Sequence, residues 1–166
     1  MPRPRRPLIV LLLVIVVMFG LLQLVRPERT NPPVDPAMRL DAHLTVPADV
    51  AAILDRSCRD CHTNETRWPW YSHVAPPSLL LSRDVRTGRD ELNLSEWGNY
   101  DEEIASEQLE EICTQVKEGV MPLRPYTWLH PDSRLSSADV TRLCRWTEEA
   151  LAEVAGLTEE SGDRAN

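Results

Sequence analysis

Apolar residues form a long run near the start of the chain, from Leu8 to Val25, in which Gln23 is the only polar residue. As a helix this run would be about 27 Å long, close to the roughly 30 Å hydrocarbon core of a bilayer. A cleaved signal peptide is the alternative, but its apolar region is typically ~7–15 residues long and ends at a small-residue cleavage site. Here the run is longer and ends in "VRPE". The pattern therefore predicts an uncleaved transmembrane signal anchor at residues 8–25.

Beyond residue 46, apolar residues recur at helical spacing, and no segment shows the alternation that is typical of a strand. Pro76 and Pro77 suit the start of one helix, and Gly119 suits the end of another. Ser136-x-x-Asp139 resembles a capping box at the start of the last helix. The predicted helices lie at about 49–58, 77–88, 102–118 and from 136 onward. An all-α fold is therefore expected.

Composition divides the chain further. Five prolines between Arg26 and Pro47, with little apolar periodicity, indicate an extended linker. The last residues, "LTEESGDRAN", are polar and typical of a frayed end. The predicted organisation is a cytoplasmic tail at 1–7, the anchor at 8–25, a proline-rich linker at 26–46, one domain at 47–155 and a disordered tail at 156–166.

Charge is distributed unevenly. The first 30 residues carry five arginines and one glutamate, a net charge of +4, which leaves −12 of the total of −8 for the rest of the chain. An acidic domain argues against nucleic acid as a partner, because phosphate binding needs a clustered basic face. Arg3, Arg5 and Arg6 predict, by the positive-inside rule, a single-pass protein with its domain on the extracytoplasmic side of the cytoplasmic membrane.

The sequence "CRDCH", from Cys58 to His62, carries the most specific chemistry. C-x-x-C-H is the pattern of c-type haem attachment: two thiols bind the porphyrin and the histidine is the proximal iron ligand. A redox-active dithiol is an alternative, but it expects a βαβ context. A zinc site is another, although its cysteines usually come as two tight pairs. A domain with few large aliphatic residues also favours one covalent haem c as part of its core.

An electron-transfer haem needs a second axial ligand, and Met121 is the main candidate. It follows Gly119 and precedes Pro122, so it is expected on a constrained loop rather than on a packed helix face. A methionine that merely fills the core is the alternative interpretation. The other candidate ligands are His130, His73, Met38 and His43.

Cys113 and Cys144 each fall on the apolar face of a predicted helix. They are either two small buried residues or a disulfide that closes a loop containing Met121. Trp68, Trp70 and Tyr71 are candidates for packing against the porphyrin, or alternatively for clamping a loop. Four arginines are possible partners of the haem propionates: Arg67, Arg83, Arg86 and Arg89.

Three stretches, "CRDCHTNETRWPWYSHVAPPS", "DVRTGRDELNLSEW" and "GVMPLRPYTWLHPDSRLS", resemble the small haem-binding domain family of bacterial membrane-anchored c-type cytochromes. The resemblance covers residues 46–147. It implies an N-terminal membrane segment and a single haem c site at Cys58, Cys61 and His62, in a small cytochrome c-like helical domain packed around the haem. Met121 as the distal ligand is consistent with the family pattern.

The sequence thus predicts a membrane-anchored monohaem cytochrome that transfers single electrons and is not an enzyme. Its acidic domain suits a basic redox partner protein. The alternative is a haem-based gas or redox sensor, or an accessory haem subunit, with a labile distal ligand. A weak peroxidase-like activity also stays open.

Overall fold

The computed structural model describes residues 5–164, and side chains within residues 6–156. Within these residues the chain forms α-helices and short 3-10 turns, with no strand, so the all-α prediction is confirmed. The helices are α1 (Arg5–Leu22), α2 (Leu40–His43), α3 (Ala48–Ser57), α4 (Arg59–His62), α5 (Pro77–Glu91), α6 (Glu102–Lys117), α7 (Arg124–Leu129) and α8 (Ser137–Arg164).

The predicted transmembrane helix at 8–25 is wrong. None of the helices in the described part of the chain combines the length and the hydrophobicity needed to cross a membrane. Helix α1 begins with two arginines and Pro7 and ends at Leu22, so its apolar part is about 22 Å long, short of the roughly 30 Å core. The predicted single-pass localisation falls with it. Of the predicted tail at 1–7, residues 1–4 lie outside the described residues.

Residues immediately after α1 are hydrogen-bonded to the domain. The Gln23 amide donates to the Ala75 carbonyl at 3.1 Å and accepts from the Ala75 N–H at 2.9 Å. Arg29 donates to the Ser72 carbonyl at 2.6 Å. Farther along, Leu40 and Leu44 are only 5 % and 4 % exposed and belong to the main hydrophobic core. The segment predicted as a linker, 26–46, is therefore part of the folded domain, because it supplies core side chains.

The main core lies between α3, α6 and α8. Leu109 of α6 and Leu143 and Trp146 of α8 are almost completely buried. Burial of such side chains stabilises a fold by roughly 1.5–3 kcal/mol each. A second, smaller cluster consists of Tyr71, Leu81 and Val85, with Cys61 and Trp68 packed against it. It joins α5 to the helix that carries the second cysteine of the motif.

Helix starts follow the local signals. The predicted capping box is confirmed, since Ser136 N–H donates to the Asp139 carboxylate at 2.8 Å and Asp139 N–H donates to Ser136 Oγ at 3.1 Å. Asp101 caps α6 by accepting from the Ile104 N–H at 2.9 Å. Helix α8 continues to Arg164, whereas a disordered tail was expected from 156; residues 165 and 166 lie outside the described part.

Candidate functional site

The C-x-x-C-H residues form one tight turn directly after α3. Cys58 N–H donates to the Leu54 carbonyl at 2.9 Å, and His62 N–H donates to the Cys58 carbonyl at 3.0 Å. Cys58 therefore ends one helix and begins the next, α4. This connection holds the two thiols and the imidazole within about one helical turn.

Helix α5 approaches the back of this turn at Gly88. A Cβ atom built on Gly88 would lie 2.8 Å from the Cys61 carbonyl oxygen and 3.1 Å from Cys61 Cβ. Real Cβ atoms essentially never show contacts under 3.0 Å, so any residue other than glycine would force this packing to shift. The requirement is steric, because Gly88 lies within a helix with ordinary backbone angles.

The residues that follow α5 fix the His62 ring and its backbone. His62 Nδ1 lies 3.1 Å from the Leu92 carbonyl oxygen, and the His62 carbonyl accepts from the Leu94 N–H at 2.8 Å. A proton on Nδ1 would satisfy this contact and leave Nε2 as the ligating nitrogen. Burial lowers the pKa of His62, which favours the neutral imidazole that binds metals.

His62, Cys58 and Met121 line the same cavity, of about 310 Å³. This volume is at the lower end for cofactor pockets. Its other lining residues come from α3, α5, α6 and the segment after α5: Leu54, Glu91, Leu92, Leu94, Gln108, Glu111, Ile112, Gln115 and Val116. The wall is mostly apolar, and Glu91 and Glu111 are its only charged residues. The arrangement can surround a flat apolar group with a nitrogen ligand and a thioether ligand at hand.

Met121 is placed by the end of α6. Gly119 follows the last turn with φ of +67°, the left-handed conformation that favours glycine. The N–H groups of Val120 and Met121 then both donate to the Gln115 carbonyl, at 3.0 and 3.2 Å. The half-buried Met121 side chain packs against the main core.

Comparison with known proteins decides the family. The model of the haem-binding domain family matches residues 17–149, most of the chain. The chain belongs to the haem-binding domain family. No curated protein and no solved structure matches it. Membership supports haem as the cofactor, and the cavity residues fit that group: aliphatic walls, an oriented imidazole and a thioether sulfur.

The two cysteines of the motif are half-buried in this haem-binding domain. Burial raises the pKa of the Cys58 and Cys61 thiols to about 12. A redox-active dithiol needs a lowered thiol pKa, so these thiols do not resemble one. Cys61 does not line the cavity; it packs against the small cluster of Tyr71, Leu81 and Val85.

The other two cysteines of the haem-binding domain are joined. Cys113 and Cys144 form a disulfide between α6 and α8, with their Cα atoms 4.8 Å apart. Both are therefore unavailable as zinc ligands. Among the described residues no three His, Cys, Asp or Glu side chains are grouped as a metal site would require.

The aromatic candidates lie elsewhere. Trp70 is 78 % exposed, Trp68 donates to Asn31 at 3.2 Å, and Tyr71 lies 2.7 Å from His130 Nε2 through its hydroxyl. None of the three lines the cavity that His62 and Met121 share. Trp68 and Tyr71 instead make contacts with other segments of the chain, at Asn31 and His130.

The alternative axial ligands and the candidate propionate partners do not line this cavity either. His43 Nε2 lies 2.9 Å from the Ala37 carbonyl, and neither His43, Met38, His73 nor His130 lines the cavity. Arg89 donates to Thr63, Thr30, Asn31 and Thr66, and Arg67 pairs with Asp60 and Asp55. These two arginines hold the fold together at its surface.

Sequence reasoning missed four site features. Gly88 and the Leu92 carbonyl support His62, while Glu91 and Glu111 give the cavity its charge. A mid-helix glycine is a signal of close packing, so Gly88 could have been suspected. A carbonyl partner leaves no mark in the sequence.

Proposed function

We propose that this haem-binding domain is a monohaem c-type cytochrome that transfers single electrons. Cys58 and Cys61 would bind the haem covalently, with His62 as proximal and Met121 as distal ligand. The observation that carries the proposal is the shared cavity, in which Cys58, His62 and Met121 meet although Met121 is 59 positions after His62. Bound haem iron would supply the one-electron exchange between its ferrous and ferric states.

Each protein group has a defined part. The Leu92 carbonyl holds His62 Nδ1, so that the ring presents its other nitrogen to the cavity. The Gln115 carbonyl holds the Met121 N–H. Leu54, Leu94 and Val116 would form an apolar wall against the bound cofactor. A thioether ligand would raise the reduction potential relative to two histidines.

Charge supports a basic redox partner. The domain is acidic, and the residues that line the cavity include Glu91 and Glu111 but no arginine or lysine. Negative charge around the cofactor would steer a positively charged protein toward it and accelerate encounter. Electron transfer would then be faster at low ionic strength than at high ionic strength.

Haem staining of the denatured protein tests the covalent link. We expect haem to migrate with the wild-type chain, and to be lost in a Cys58→Ser/Cys61→Ser variant. Haem that stays attached to the double variant, or a wild type that never retains haem under denaturing conditions, would refute c-type attachment.

The visible spectrum of the native protein tests the distal ligand. We expect six-coordinate iron with the thioether-to-ferric charge-transfer band, lost in Met121→Leu and kept in Met38→Leu. Met38 is a matched control because it is also partly buried but does not line the cavity. Five-coordinate ferrous iron that binds carbon monoxide readily in the wild type would instead favour a sensor.

A further inference from the structure

A buried carboxylate lies between the two cysteines of the motif. Asp60 is 9 % exposed, and both of its carboxylate oxygens have partners. Tyr126 Oη donates to Asp60 Oδ2 at 2.8 Å. The Arg67 N–H and Nε donate to Oδ1 at 3.1 and 3.2 Å. The bond from Tyr126 joins residues that are 66 positions apart. It links α7 directly to the C-x-x-C-H turn of residues 58–62, the attachment turn.

Tyr126 also contacts His130, which in turn contacts Tyr71. Its ring stacks on His130, with the ring centres 4.4 Å apart and the planes at 18°. His130 Nε2 in turn lies 2.7 Å from the Tyr71 hydroxyl. Burial, and after it the hydrogen bond to Asp60, raise the pKa of Tyr126, so the phenol keeps its proton and remains the donor.

This contact bears on Met121 through the chain. Helix α7 begins at Arg124, three residues after Met121, and Tyr126 lies in its first turn. On the other side, Met121 N–H is bonded to the Gln115 carbonyl at the end of α6. Met121 therefore lies between two attachments. One holds it to α6, and the other holds the following helix to the turn that carries Cys58, Cys61 and His62.

We propose that Tyr126 is a positioning residue for the distal ligand: its hydrogen bond to Asp60 sets where Met121 lies relative to His62. The inference rests on the proposed function, in which these two residues are the axial ligands. A hydrogen bond to an ionised carboxylate is about twice as strong as a neutral one. Without the hydroxyl, Asp60 would keep an unpaired buried oxygen and α7 would lose its link to the attachment turn.

Imidazole titration of the ferric, haem-loaded chain tests this positioning. Tyr126→Phe keeps the ring and its stacking on His130 and removes only the hydroxyl. We expect imidazole to displace the thioether at about tenfold lower concentration than in the wild type, with a weaker thioether-to-ferric band before addition.

Thr45→Val is the matched control. The Thr45 hydroxyl donates to the Glu153 carboxylate at 3.3 Å, so this variant also loses a hydroxyl-to-carboxylate hydrogen bond, but one that lies away from α7 and from both candidate ligands. Its imidazole titration should follow that of the wild type.

The outcomes separate the two proposals. A wild type with a normal thioether band and a Tyr126→Phe variant that titrates like it would overturn the positioning role and leave the proposed function intact. Equal shifts in Tyr126→Phe and Thr45→Val would also overturn it, since the effect would be general loosening. A wild type without the thioether band would refute Met121 as the ligand, and the positioning role with it.

Discussion

The two sides of the cavity are built differently. On the His62 side the attachment turn continues α3, Gly88 of α5 packs behind it, and the backbone around Leu92 bonds both the ring and the carbonyl of His62. On the Met121 side a short segment is held by the Gln115 carbonyl and, through Tyr126, by Asp60. The first side is held by several contacts from α5 and the segment after it, whereas the second depends on two hydrogen bonds, to Gln115 and to Asp60. We therefore expect the distal side to loosen first.

Removal of the disulfide should have the largest effect on the Met121 side of the cavity. The Cys113–Cys144 bond closes a loop over a sequence separation of 31 that contains Met121. A Cys113→Ala/Cys144→Ala variant should lose about 3–4 kcal/mol of unfolding free energy, because the unfolded chain gains freedom. Urea denaturation measures the loss of stability. As urea is added to the haem-loaded protein, the thioether band should be lost before His62 dissociates from the iron.

Reduction of the wild type is the control for that variant. A thiol reductant should lower the stability of the wild type toward that of the double-alanine variant and should leave the variant unchanged. If His62 dissociated before the thioether band was lost, the expectation that the Met121 side loosens first would be wrong.

Gly88→Ala tests the proximal side. The new Cβ would lie 2.8 Å from a backbone oxygen of the attachment turn, which cannot move aside as a flexible side chain could. Overpacking typically costs 1–3 kcal/mol, and the better helix propensity of alanine offsets about 1 kcal/mol of it. We expect a net loss of up to about 2 kcal/mol in urea denaturation and a lower yield of covalently bound haem.

Gly156→Ala is the matched helical control. Gly156 lies in α8, and a Cβ built there meets nothing within 4 Å. It should leave the stability unchanged or raise it by up to about 1 kcal/mol. If Gly88→Ala behaved like this control, the result would contradict the close packing of α5 against the attachment turn.

Gly119→Ala perturbs the distal side without adding a contact. A Cβ there meets nothing within 4 Å, so the cost comes only from the φ of +67°, about 1 kcal/mol for a residue other than glycine. The thioether band should weaken more in this variant than in Gly88→Ala, although the loss of stability is smaller. Gly119→Asn should cost less, since asparagine tolerates this conformation.

Local signals allowed much of the helical framework to be predicted from the sequence. Capping residues at Ser136 and Asp139, prolines before α5 and Gly119 after α6 act within one helical turn of where they stand. The C-x-x-C-H motif is equally local. The predicted helix boundaries were correct to within a few residues because each depends on near neighbours in the chain.

Contacts between distant residues were beyond this reasoning. Leu40 and Leu44 lie in a proline-rich segment whose lack of periodicity concealed their burial in the core. The Asp60–Tyr126 bond leaves no pattern in either stretch. The apolar run at 8–25 had the composition of a membrane span, but the helix formed ends at Leu22. Length of an apolar run and length of a helix are separate quantities.

The smallest expected effect on stability comes from the ion pairs that Asp55 forms beside the attachment turn. Hydrogen bonding to Arg59, one residue after Cys58, and the nearby charge of Arg67 hold the pKa of the Asp55 carboxyl below its usual value. Because this pKa is lowered in the folded state, the contribution is present above the unfolded value of about 3.9 and is lost as the pH falls below it.

Asp55→Asn should therefore lower stability at pH 7 by less than about 1 kcal/mol, since the Asp55 side chain is 47 % exposed and the pair is screened by solvent. The difference from the wild type should shrink toward zero as the pH falls from 5 to 3 in urea denaturation. Asp132→Asn, which replaces an exposed carboxylate outside the turn, is the control. A difference that stayed constant with pH would show that Asp55 acts through packing rather than charge. The His62 side would then owe its order to the Gly88 contact and to the hydrogen bonds of Leu92 and Leu94 with His62, without an electrostatic contribution from Asp55.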